Sequence, residues 1–313
     1  MTPAGGFGRG LLILLCGALT ATACRDSSSK LSPTHKHVGV TLLTMQHPFY
    51  QELRAGMEDA APTRDIELLI TTAEFDSSRQ ANQIDEFIVQ KVDALVVCPC
   101  DSQSVGAGIA AANQAGIPVF TADIANTSPR GTVISHIASD NVKGGRQAAQ
   151  LMAQALGDRG KVAILSHPEV ASVADRVRGF REGLAAHPDI EVVAELSAEG
   201  KRDRAAKVME DLLQSHADLA GVFGINDDCV LGALAAIEAA GKRGKIQLVG
   251  YDATAEARAR IAEGAIFGDV VQDPRRIGAA AIDAIADHFA GRKPLPVIPI
   301  DVGAWTRESA TKK

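Results

Sequence analysis

Short apolar runs rich in β-branched residues alternate along the chain with longer segments whose apolar positions recur at helical spacing. The alternation predicts strands at 37–43, 66–71, 94–97 and 118–121, with helices at 49–61, 78–90 and 104–115 between them. It restarts after Asn141 with a helix at 143–156. Strands follow at 162–165, 190–196, 221–224, 246–250 and 268–272, separated by helices at 172–186, 201–215, 228–240 and 254–263. A last long helix occupies 274–290, and 294–300 returns as an extended segment. Ala94-Leu95-Val96-Val97 is apolar at every position, which suits a strand covered on both faces. Strand–helix alternation of this kind builds parallel sheets layered by helices. The units are too many for one comfortable sheet, so two lobes are expected. The helices ending before Gly116 and Gly241 close alike, each with glycine where a left-handed residue is needed, so the lobes should be similar halves.

The first residues read differently. Arg9 precedes an apolar run from Leu11 to about Leu19, followed by the small residues Thr20-Ala21-Thr22-Ala23 and then Cys24. The run is too short to cross a bilayer, which takes about 20 apolar residues. It is expected to be an export signal, residues 1–23. Small residues before a cysteine resemble a bacterial lipobox, with cleavage before Cys24 and lipid on its thiol; Ala21 stands where such motifs usually have Leu. Residues 24–36 are polar and serine-rich and read as a tether from membrane to domain. Cys98, Cys100 and Cys229 then remain, an odd number that makes no disulfide framework. A bridge within Cys98-Pro99-Cys100 would be strained, and no His or further Cys lies at metal-ligand spacing, so all are read as buried thiols and no metal is expected. The net charge of −6 argues against a nucleic-acid partner, which needs a basic face.

Several stretches carry a family resemblance: Met45-Gln46-His47-Pro48-Phe49-Tyr50, residues 111–118, Ser135-His136-Ile137-Ala138-Ser139-Asp140-Asn141, Asn226-Asp227-Asp228 and Val249-Gly250-Tyr251-Asp252. In their order and spacing over residues 37–303 the chain resembles the bacterial periplasmic sugar-binding proteins of the ribose-binding type. The resemblance implies an α/β fold of two flavodoxin-like lobes with parallel sheets, joined by a three-segment hinge near Ser139-Asp140, Gln272-Asp273 and Ile300-Asp301. It would assign residues 37–139 and 273–300 to the N-terminal lobe, and 140–272 and 301–313 to the C-terminal lobe.

It also places the ligand chemistry. A sugar ring wants an aromatic against its apolar face, and its hydroxyls want charged or amide groups. In open α/β sheets such groups sit past the carboxyl ends of strands. Phe49 and Tyr50, after the first strand, are the implied aromatics. Asp123, after the strand at 118–121, would accept from adjacent hydroxyls. Arg176, just inside a helix, would fork across ring and hydroxyl oxygens, with Arg178 pointing elsewhere. Asn226 would face the cleft while Asp227 or Asp228 caps the next helix. Asp252 ends a strand, and Gln272 sits at a crossing where its amide would bridge both lobes. His47 stands before Pro48 where the family often has Asn. Ile124 follows the cleft aspartate where ribose binders usually have Arg, and no aromatic lies near Gly200. The pocket should be less cationic and stacked on one side, which fits another pentose, a hexose or a polyol as well as ribose.

The expected protein is a monomeric solute-binding lipoprotein of an ABC-type sugar importer, holding a monosaccharide or polyol without chemistry or cofactor. Its partner would be a membrane permease, or a membrane receptor or sensor kinase in a sensing variant of the same design. A repressor effector domain shares the fold but needs a helix-turn-helix, for which residues 1–36 offer only a signal and a tether. Catalysis lacks support: His136 and Asp140 pair on paper, with no third group, activated nucleophile or phosphate loop nearby.

Overall fold

The computed structural model describes residues 35–311. The export signal, Cys24 and nearly all of the tether lie outside that range. The chain begins with β1 (Lys36–Leu42), α1 (Pro48–Ala60), β2 (Ile66–Thr72), α2 (Ser77–Gln90), β3 (Ala94–Val97), α3 (Gly106–Gln114), β4 (Val119–Ala122) and β5 (Ser135–Ser139). It continues with α4 (Asn141–Leu156), β6 (Gly160–Ser166), α5 (Ala171–Leu184), β7 (Ile190–Ser197), α6 (Arg202–Ser215), β8 (Leu219–Gly224), α7 (Asp227–Ala239), β9 (Gln247–Asp252), α8 (Ala255–Ala262) and β10 (Gly268–Val271). It ends with α9 (Pro274–Phe289), β11 (Val297–Ile300), β12 (Gly303–Thr306) and α10 (Arg307–Thr311).

These elements form two six-stranded sheets, ordered β11-β5-β4-β3-β1-β2 and β12-β10-β9-β8-β6-β7. Every neighbouring pair is parallel except β10 and β12, which run antiparallel. Strands β3 and β4 are buried throughout; β3 is apolar at every position, and β4 is apolar but for the buried Thr121. In each sheet the order reverses beside the first strand, at β1 and at β6. Groups past the carboxyl ends of the neighbouring strands therefore converge on a crevice at that switch point.

Two elements were not legible as strands. Ser135-His136-Ile137-Ala138-Ser139 forms β5 although polar residues hold three of its positions. Its partners on both sides, β4 and β11, supply the pairing that its own hydropathy does not advertise. β12 pairs along β10 and completes the second sheet. The expected glycine stops are present: Gly116 (φ 78°) and Gly241 (φ 65°) are both left-handed.

After β5 the chain passes to the second sheet, where α4 packs on α5 and on β8, β9 and β10. After β10 it returns, with α9 packing on α1, β4 and β5, and after β11 it passes over once more to β12. The contact of α4 with α5 bears directly on the cleft. A Cβ on Gly145 would lie 2.1 Å from the backbone oxygen of Arg176, and one on Gly179 would lie 2.1 Å from that of Val142. Only bare backbone permits the two helices to approach this closely, and the approach brings Arg176 of α5 onto Asn141 at the start of α4.

Candidate ligand-binding cleft

One cavity between the lobes gathers side chains from distant parts of the chain. It encloses about 480 Å³ of space, counting what is open to solvent at its mouth. His47, Phe49, Tyr50, Asp123, Arg176, Asn226, Asp252 and Gln272 all line it. The first four come from loops and helix starts after β1 and β4, the others from α5 and the ends of β8, β9 and β10.

Arg176 is buried in its wall. Its Nε donates to Asn141 Oδ1 (2.9 Å), its Nη1 donates to the Ile225 carbonyl (2.8 Å), and its guanidinium lies 3.9 Å over the Tyr251 ring. The group is thus fixed in plane and position. Burial opposes its charge, but Tyr251, Asp252, Asp123 and Tyr50 together hold its pKa above the ordinary value. Arg178 instead pairs with Asp175 at 2.9 Å on the exposed face of α5.

Two carboxylates face this cation. Asp123 adopts a left-handed backbone (φ 65°), and its Oδ2 accepts from Tyr50 Oη at 2.8 Å. Its buried Oδ1 has no hydrogen-bond donor. Burial pushes its pKa up to about 6, against the pull of Arg176 and the Tyr50 hydroxyl. Asp252 (φ 117°) precedes a second left-handed residue, Ala253 (φ 57°). Its Oδ1 accepts from Gln272 Nε2, and its Oδ2 accepts from the Asp227 N–H at 3.4 Å. Burial raises its pKa, with His47, Arg176 and Gln272 pulling the other way. Consecutive unusual backbone angles at strand ends are where binding sites store strain.

Gln272 joins the lobes: it donates to Asp252 while its Oε1 accepts from Ser139 Oγ at 2.6 Å. His47 caps α1, its Nδ1 accepting from the Phe49 N–H at 3.1 Å. That fixes the neutral ring's proton on Nε2. Nε2 lies 3.3 Å from Asp252 Oδ2 across the cleft without a well-aligned hydrogen bond. Phe49 and Tyr50 meet edge to face with ring centroids 5.1 Å apart. The lobes touch again at Ser102, whose N–H donates to the Glu169 carbonyl (3.0 Å) and whose Oγ accepts from the Ala171 N–H (2.9 Å).

One expected division of labour is corrected. Asn226 itself caps α7: its Oδ1 accepts from the Cys229 N–H at 2.9 Å, and its Nδ2 donates to the Gly200 carbonyl at 3.0 Å. Neither following aspartate caps, because each is engaged elsewhere. Asp227 accepts from the Thr254 N–H (2.6 Å), and Asp228 pairs with Arg202 (3.2 Å). The paper pair of His136 and Asp140 also dissolves. His136 Nδ1 sits 2.9 Å from Thr121 Oγ1, and Asp140 caps α4 by accepting from the Lys143 N–H. Cys98, Cys100 and Cys229 are free and buried. Phe75, His167 and Ser172 also line the cavity. None belongs to a motif, and only their positions after β2, after β6 and in the first turn of α5 bring them there.

A family description of the periplasmic binding protein domain matches residues 38–293. The chain belongs to the periplasmic binding protein family. It is 37% identical over 257 residues to the ribose import binding protein RbsB of Bacillus subtilis (strain 168), covering 82% of either chain. It is 34% identical over 286 residues to a xylitol-binding protein of Mycolicibacterium smegmatis, covering 91% of this chain and 80% of that one. Among solved structures, a solute-binding protein of an ABC transporter from Agrobacterium vitis, bound with α-D-tagatopyranose, superposes with a TM-score of 0.84 at 29% identity. That match covers 89% of this chain and 96% of the other. Members of this family are exported solute-binding components of transporters, and the chain is a binding protein, not an enzyme.

Proposed function

We propose that the chain captures a monosaccharide or related polyol in the interlobe cleft and delivers it to an ABC-type importer. The observation that carries this reading is the composition of one cavity: two carboxylates, a buried guanidinium, two amides and aromatic rings, drawn from both lobes. A molecule with an apolar ring face and several hydroxyls satisfies all of them, because each hydroxyl both donates and accepts. Asp123 Oδ1 and His47 Nε2, buried and without hydrogen bonds, are natural partners for such hydroxyls. The relatives point the same way through ribose, xylitol and tagatose. The segments at Ser139-Asp140, Gln272-Asp273 and Ile300-Asp301 act as the hinge, dividing the chain into lobes of 37–139 with 273–300 and of 140–272 with 301–313.

A thermal-shift panel of pentoses, hexoses and polyols tests the reading. A true ligand at 100 times its dissociation constant adds about 2.7 kcal/mol of stability. Small-angle scattering with that ligand should show a smaller radius of gyration, because ligand shifts the open–closed equilibrium. If no sugar or polyol raises the melting temperature, the proposed ligand class is wrong.

Cys24 carries the membrane anchor in this reading, after cleavage of residues 1–23. Replacing Cys24 with Ser should release the protein from the membrane fraction or leave the precursor unprocessed. Identical fractionation and migration of both forms would rule out the anchor.

A further inference from the structure

Phe75 belongs to no sequence motif, yet its ring lines the cleft. It sits between β2 and α2 in a left-handed conformation (φ 63°), directly after left-handed Glu74 (φ 51°). Bulky residues adopt this region only when their surroundings impose it. Here the imposition is visible on both sides. The Glu74 carboxylate accepts from Thr44 Oγ1 (2.7 Å), Thr72 Oγ1 (2.6 Å), Gln46 Nε2 (3.1 Å) and the Met45 N–H (3.2 Å). Asp76 caps α2 by accepting from the N–H groups of Ser78 and Arg79, both at 2.9 Å. The Phe75 N–H donates to the Leu43 carbonyl at 3.0 Å. A residue pinned between two anchored carboxylates has its ring direction set by the backbone, and the ring also packs against the core.

The ring is aimed at the second lobe. Lys201 Nζ lies 5.0 Å from its centroid, and the His167 ring centre lies 6.5 Å away. Beside His167 in the cavity wall stands Gly200, left-handed at φ 64°, where a Cβ would already come within 3.3 Å of Asn226 Nδ2 and 3.4 Å of His167 Nδ1. The second lobe therefore presents a bare backbone there, and the aromatic surface facing it is supplied by the first lobe.

We infer that Phe75 is a specificity-determining residue, whose ring forms the aromatic wall of the ligand cavity on the Gly200 side. The inference rests on the sugar or polyol reading of the cleft and deepens it. A flat ring rewards a ligand with a flat C–H face, as a pyranose has and an acyclic polyol lacks. The cation of Lys201 on the same ring ties this wall to the second lobe.

The test is calorimetry with D-ribose, D-tagatose and xylitol on the wild type and on Phe75→Ala, Phe75→Tyr and Lys201→Met. Phe75→Ala should weaken the ring-forming sugar that binds the wild type by about tenfold or more and xylitol by about threefold or less. Phe75→Tyr should retain affinity for the sugar, which a purely structural role for the backbone turn would not distinguish from Ala. Lys201→Met should leave the ranking of the three probes unchanged. A Phe75→Ala variant within twofold of wild type on the sugar overturns the role of Phe75 alone. An equal loss on xylitol, or a wild type that binds only xylitol, overturns the flat-face argument. A wild type that binds none of the three, nor any other sugar or polyol, overturns the ligand class, and the wall with it.

Discussion

Replacing Asp252 with Ala is expected to weaken ligand binding by about 30- to 1000-fold, equivalent to about 2–4 kcal/mol, while the unliganded protein still folds. Asp252 is the point where the clamp closes on itself. Its carboxylate takes the Gln272 amide, faces His47 across the cleft and stands in the field of Arg176. With Ala in its place, ligand hydroxyls lose an acceptor and Arg176 loses one of its two counter-charges. Gln272 also loses the group that orients it. Buried polar groups left unpaired cost about 1–3 kcal/mol each, more when charged. Folding should hold because Asp252 is itself an electrostatic burden on its own lobe, adjoining the buried carboxyls of Asp227 and Asp269. Calorimetry with the ligand from the panel, beside a melting curve of the unliganded variant, decides between roles. Binding within threefold of wild type removes Asp252 from the clamp. Failure to fold makes its role structural, and weakens the assignments of Arg176 and Asn226 that share its register.

What the sequence made legible follows from which interactions are local. The strands from β1 to β4 and from β6 to β10 announce themselves: central ones such as β3 and β8 because a strand buried on both faces must be apolar at nearly every position, and the half-exposed edge strands β2 and β7 through their β-branched runs and the helices that follow. The eight cleft residues were placed by position at strand ends and by family register, and they do line one cavity. Their individual bonds were not legible. That Asn226 caps α7, leaving Asp227 to reach Thr254, depends on where α8 begins. β5 is too polar to reveal itself and is made a strand by its neighbours. Phe75 reaches the cleft through two successive left-handed residues, which no periodicity encodes. Asp269, read only as part of a strand at 268–272, turned out to be fully buried beside a second carboxyl.

That buried pair yields the other large expectation: above about pH 4, Asp269→Asn should raise the melting temperature, and by more as pH rises. Asp269 has no solvent exposure, and neither of its carboxyl oxygens finds a conventional donor. Burial raises its pKa well above the ordinary value, and the charge of Asp227 raises it further. Asp227 is pushed up to about 6, again by burial first, while the Thr254 N–H favours its ionised form. The arrangement suits one proton shared by two acids, held by Asp269 and offered to Asp227. The sign of the linkage follows. An unfolded aspartate titrates near about 3.9, so above that pH the native state binds more protons than the unfolded one. Stability then falls as pH rises from about 4 through the raised native values, and the penalty is complete only above them. Asn keeps the shape and the donor of the neutral acid but has no proton to lose. Wild type and Asp269→Asn should therefore melt together near pH 4 and diverge on going to pH 8. Removing the need to hold a proton or an unpaired charge in the core is worth about 1–3 kcal/mol or more, which at about 2–4 °C per kcal/mol is a difference of several degrees. Ligand affinity should change little, since the Asp227 N–H still reaches Asp252. A variant that melts below wild type at every pH would show that the Asp269 carboxylate is needed in its charged form. A gap that does not vary with pH would show that this pair does not titrate between fold and coil.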